Sequence, residues 1–123
     1  MNFEATTAEY AYEMDIGAPA SGVFPLLCPV REDDWVIGWK AIATLIHSES
    51  GVAELGAVFQ TRHGDEPETW VVSTHEPNQR IAFTRFGGDV AKRLIIDLTE
   101  KDGRTRMLWT TYQVGTSAVG NAN

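Results

Sequence analysis

The side chains able to do chemistry in this 123-residue chain are few, and most stand alone. His47, His63 and His75 invite a metal or an acid–base reading, because neutral imidazole is both a ligand and a proton carrier near pH 7. His63 falls at one end of its strand, whereas His47 and His75 fall toward the other with a strand between them. Three such rings cannot converge on one ion without strain, so no metal is expected. His47 has apolar alternation partners, Ala43 and Leu45, and could face a cavity as an acid or base; Tyr112 is the other candidate for proton transfer. Neither is assigned a catalytic role. Cys28 precedes Pro29 at an apolar helix end, with Arg31 near in sequence but no local histidine, and reads as a buried, inert thiol. Serine, histidine and aspartate occur without a nucleophile-elbow pattern. Gly87 and Gly88 sit in a hairpin rather than between a strand and a helix, so there is no phosphate loop and no cofactor is expected.

Arg85 is the most informative polar residue. Its alternation puts it on the apolar side of a strand, with Phe83 beside it and Trp70 across from it, where a guanidinium must be paired or reach water. One reading makes it an anchor for a carboxylate or another anion, which arginine holds bidentately. The preferred reading is a structural ion pair with Glu68 or with an acidic residue of a covering helix. Phe59, Trp70, Phe83 and Trp109 could line a pocket around it, since small-molecule sites are mostly apolar with a few polar groups. The same aromatics would also serve an ordinary core.

These residues are positioned by a long run of strands. Glu9 to Ile16 alternates, with Tyr10, Tyr12, Met14 and Ile16 on one side, and predicts a half-buried strand. Gly17 and Pro19 end it. Ser21 is placed to cap a short helix carrying Val23, Phe24, Leu26 and Leu27; Pro29 stops that helix and opens a second through Trp35. Trp35 and Trp39 read as packing residues of this brace. Six strands then follow, over 40–48, 56–62, 68–75, 80–86, 90–99 and 105–114, separated by turn chemistry such as Asp102-Gly103. They predict an antiparallel meander. One face would carry Phe59, Thr61, Trp70, Val72, Ile81, Phe83 and Arg85, continuing through Leu94, Ile96, Leu98 and either Trp109 or Leu108. Gln60, Arg62, Ser73, Thr84, Arg93 and Asp97 would form the polar opposite face. An apolar face of that size calls for a long helix above it, on the order of 16 to 20 residues. After Gly115 the chain offers only GTSAVGNAN, so that helix is expected to be absent or truncated, leaving an association site.

Composition narrows the partners. The net charge of −7 and isoelectric point near 4.8 argue against a nucleic-acid backbone, which requires a clustered basic footprint. The acidic residues Glu32, Asp33, Asp34, Asp65, Glu66 and Glu68 read as a solvated surface. No segment reaches the roughly 18 apolar residues of a membrane span, the first residues do not read as a secretory signal, and a single cysteine suits a reducing, cytoplasmic home. One domain, 1–123, is expected.

The order of elements, with VFPLLCPVREDDW at 23–35, SGVAELGAVFQTR at 50–62, ETWVVSTHEPNQRIAFTR at 68–85 and GRTRMLWTTY at 103–112, resembles the START-like superfamily, also called SRPBCC. That group includes polyketide cyclases and the birch pollen allergen, and the likeness is closest to bacterial members of undefined activity. The resemblance implies an α+β helix-grip fold, a curved seven-stranded antiparallel sheet in the order β-α-α-β-β-β-β-β-β around a hydrophobic cavity. It implies binding of a small hydrophobic molecule (a lipid, sterol or polyketide-like compound) at Phe59, Trp70, Phe83, Arg85 and Trp109. Two alternatives follow from the same likeness: a cyclase or dehydratase, and a protein-interaction module of the chaperone-activating kind. A homodimer through the exposed sheet face would fit the last.

Overall fold

A computed structural model describes residues 4–27, 43–63 and 66–117. The second brace helix, with Cys28, Arg31, Trp35 and Trp39, lies outside the described residues, as do the acidic run at 32–34, Asp65 and the tail from 118 onward.

Seven strands form one antiparallel sheet: β1 (Thr7–Ile16), β2 (Ala43–His47), β3 (Val58–His63), β4 (Glu66–Glu76), β5 (Arg80–Gly87), β6 (Val90–Lys101) and β7 (Arg104–Gly115). Their order is β1-β7-β6-β5-β4-β3-β2. The meander is the one the turns predict. The closing pair is not local: β1 lies along β7, from Thr7 opposite Val114 to Ile16 opposite Thr105. Asp102 and Gly103 both have positive φ, 54° and 74°, the backbone that a two-residue hairpin turn requires. Gly87 serves a close approach instead, since a Cβ there would lie 2.6 Å from the Pro67 carbonyl oxygen.

The register sorts side chains into rows across the sheet, because residues directly opposite one another share a face. One inner row runs Leu45, Phe59, Trp70, Arg85, Lys92, Gln113 and Ala8. The next runs Val72, Phe83, Leu94, Thr111 and Tyr10, and the third His75, Ile81, Ile96, Trp109 and Tyr12. Leu98, Met107 and Met14 form a fourth. The inner face is therefore the apolar one expected, and of the two candidates on β7 it is Trp109 that faces inward; Leu108 faces out.

One end of this face is closed by helix α1 (Ala20–Val23) and a 3-10 helix (Phe24–Leu27), which bury Ala20, Val23, Phe24 and Leu27. Ser21 does not cap α1 as expected. The helix starts two residues earlier, with Pro19 at the N-cap position, and the free Ala20 N–H donates to Glu100 Oε1 of β6 at 2.6 Å. Thr105 Oγ1 of β7 donates to the Ala18 carbonyl at 2.8 Å. Two strands thus hold the brace by its entry, a long-range cap that no local pattern encodes. Among the described residues no helix follows β7, and none is long and apolar enough to cross a membrane.

Candidate functional site

Phe59, Trp70 and Phe83 come together on β3, β4 and β5. Phe59 and Trp70 stack at 5.1 Å and 25°, and Phe83 meets both edge-on at 5.9 and 5.7 Å. Offset and edge contacts are the arrangements aromatic quadrupoles favour. The three rings are 2%, 8% and 2% exposed, so they form the floor of any site rather than its open wall. Trp70 Nε1 donates to Thr61 Oγ1 at 2.9 Å, which satisfies the buried indole and fixes its ring.

Arg85 lies over this floor, its guanidinium carbon 3.6 Å from the Trp70 ring centroid. Its Nε donates to Glu68 Oε1 at 3.0 Å, and Nη2 reaches the same oxygen. Lys92, directly opposite Arg85, brings Nζ to 3.7 Å from Glu68 Oε2. Two cations therefore share one carboxylate on the inner face. Glu68 is not part of a solvated turn, as its acidic neighbourhood suggests. Strand β4 begins at Glu66, and pairing with Thr61 turns Glu68 inward, where its side chain is 14% exposed. Stacking on Trp70 and pairing with Glu68 hold Arg85 in one orientation, and the cluster carries one positive charge in excess.

The other half of the face is open. Tyr12 stacks on Trp109 at 5.7 Å and 9°, yet Tyr12 and Tyr10 are 55% and 57% exposed. Partial burial pushes the Tyr12 phenol above its usual pKa, so it stays neutral. Trp109 Nε1 is shielded and has no acceptor among the described residues. A shielded N–H without a partner costs about 1–3 kcal/mol.

The two acid–base candidates are not in this site. A β-bulge between Leu45 and His47 places His47 opposite Val58, on the outer face, where it is exposed. Alternation from Ala43 and Leu45 points it inward only if the strand is regular. Tyr112 pairs with Glu9 and Arg93, also on the outer face, and its ring lies 4.9 Å from the Arg93 guanidinium carbon. A second bulge, between Val72 and Thr74, brings His75 opposite Ile81 on the inner face. His75 there meets Phe24 edge-on at 5.4 Å. The regular-alternation reading missed it for the same reason that it misplaced His47. Among the described residues no three His, Cys, Asp or Glu side chains cluster as metal ligands would.

No protein-family model and no curated protein matches the sequence. The fold does match solved structures. An uncharacterised protein from Rhizobium leguminosarum superposes with a TM-score of 0.70 at 20% identity, over 91% of this chain and 80% of its own. A Rhizobium loti protein gives 0.73 at 16% identity, over 98% and 88%. Norcoclaurine synthase from Thalictrum flavum gives 0.63 at 14% identity, over 91% and 72%. This chain shares the helix-grip fold of these solved structures. At these identities the likeness speaks for the fold, and activity has to be argued from the site.

Proposed function

We propose that this protein binds a small hydrophobic molecule, such as a lipid, sterol or polyketide-like compound, against the inner face of the sheet. One observation carries the reading: the aromatic face continues beyond its packed centre to Tyr10 and Tyr12, which are exposed beside the shielded, acceptor-less N–H of Trp109. An apolar molecule would cover the two exposed tyrosines. Phe59, Trp70 and Phe83 support the floor, Tyr10, Tyr12 and Trp109 meet the ligand, and Arg85 with Lys92 faces any anionic group it carries. A cytoplasmic home, in keeping with the lone cysteine, belongs to the same reading.

Thermal unfolding of the protein in the presence of fatty acids, sterols and aromatic polyketides tests it, because a ligand that binds only the folded state raises Tm. Stabilisation by one class is expected, and none by any class would refute the proposal. The exposure of Tyr10 and Tyr12 also favours a second reading, self-association through the open face. A concentration-independent monomer in light scattering, both with and without ligand, would remove it.

A further inference from the structure

A separate, open-mouthed pocket lies at the brace end of the sheet, bordered by the 3-10 helix, the β2–β3 loop and the β4–β5 turn. It has a volume of about 330 Å³, and its walls include Phe24, Pro25, Val52, Ala53, His75 and Ile81. None of the residues lining it belongs to the Phe59–Trp70–Arg85 cluster or to the Tyr12–Trp109 pair. From this pocket we infer a second binding site, selective for a neutral bicyclic aromatic molecule that carries one hydrogen-bonding group.

Size, polarity and rigidity each limit the occupant. A dry cavity of about 150 Å³ accepts benzene, so a volume about twice that suits two fused rings. Among the described residues no charged side chain lines the pocket, and with a net charge of −7 the protein disfavours anions. His75 is the one side chain in the lining that both donates and accepts through a ring. Among the described residues its nitrogens have no hydrogen-bond partner, and its ring is already positioned edge-on by Phe24. With the Asn78 amide, which also lines the pocket, that gives two neutral polar contacts on an otherwise apolar surface, which orient a hydroxyl or N–H group without selecting a charge.

The loop wall is preformed. Glu54 accepts hydrogen bonds from Ser48 Oγ at 2.9 Å, from Ser50 N at 2.7 Å, from Glu49 N at 3.3 Å and from Ser50 Oγ. The single Ser48 hydroxyl proton is shared between Glu54 and the Val52 carbonyl, 2.6 Å away, while Ser48 Oγ accepts from Gly51 N–H at 3.1 Å. These bonds fix the segment that presents Val52 and Ala53, so binding requires little loop ordering. Val52 remains 45% exposed at the rim, where a ligand ring would cover it.

The test is titration of the whole protein with 2-naphthol, followed by isothermal calorimetry and by amide and methyl chemical shifts, with naphthalene as the comparison. Binding in the sub-millimolar range is expected, with shifts at Val52, Ala53, His75 and Ile81. The Val52→Trp variant, altered at an exposed rim position, should fold normally and lose binding. His75→Leu should lower 2-naphthol affinity about tenfold and leave that of naphthalene unchanged. Absence of binding at millimolar 2-naphthol would overturn the inference. Shifts confined to Tyr10, Tyr12 and Trp109 would also overturn it and would assign the probe to the sheet-face site. A 2-naphthol affinity untouched by His75→Leu would remove the proposed selectivity. The sheet-face proposal does not depend on these outcomes, since the two sites share no lining residue named here.

Discussion

Two halves of the same sheet face use aromatic residues in opposite ways. On β3 to β5, Phe59, Trp70 and Phe83 pack against one another and are almost wholly removed from water. On β1 and β7, Tyr10 and Tyr12 continue the same face but stay more than half exposed, and the stacked Tyr12–Trp109 pair leaves an N–H without an acceptor among the described residues. The difference separates a region whose chemistry is stability from one whose aromatic surface is available. It also places Arg85 at the seam, where its charge is held by Glu68 and its flat face by Trp70.

The largest effect that would break this contrast is in the packed half. Phe83→Ala should destabilise the protein by about 3–5 kcal/mol in urea denaturation, through lost burial and the cavity left between Phe59 and Trp70. A cost below about 1 kcal/mol would mean that this half is no better packed than the other. At the seam, Glu68→Ala should cost about 2 kcal/mol, less than a fully buried pair because the partners are 14–28% exposed. It strands two cations, so adding Arg85→Met should recover part of the loss in a double-mutant cycle.

In the open half Tyr12→Ala should cost only about 0.5–1 kcal/mol without ligand, the worth of one exposed stacked pair. The smallest effect belongs to the loop at Glu54. Hydrogen bonds from the Ser50 side chain and backbone lower its carboxyl from 4.5 to about 2. A depressed folded-state pKa contributes order that is complete above about pH 4.5 and is lost as pH falls toward 2. Amide exchange at Ser50 should accelerate over that window while the sheet amides do not, and Glu54→Gln should abolish the pH dependence.

Much of the sheet was legible because local rules govern it. Period-two alternation placed Tyr10, Tyr12, Met14 and Ile16 on one face, and Asp102-Gly103 marked its hairpin. Glu68 was legible as a partner for Arg85 but not as an inward residue, since the start of β4 is set by pairing with β3 rather than by its own composition. His47 was misplaced and the inward position of His75 was overlooked for a related reason. A bulge adds one residue to a strand and reverses every later side chain, and the bulges before His47 and His75 have no glycine or proline to announce them. The pairing of β1 with β7 and the Glu100 cap of α1 join residues about 80 or more positions apart, beyond any local pattern.

The most direct measurement of the central claim is the ligand-induced rise in Tm for the unaltered protein beside Tyr12→Ala and Tyr10→Ala. At a hundredfold excess over Kd, a fatty acid, sterol or aromatic polyketide should stabilise the unaltered protein by about 2.7 kcal/mol. Both variants should keep nearly full stability without ligand and lose most of that rise. No rise with any ligand, or an equal rise in the variants, would contradict a binding surface on the open half of the sheet.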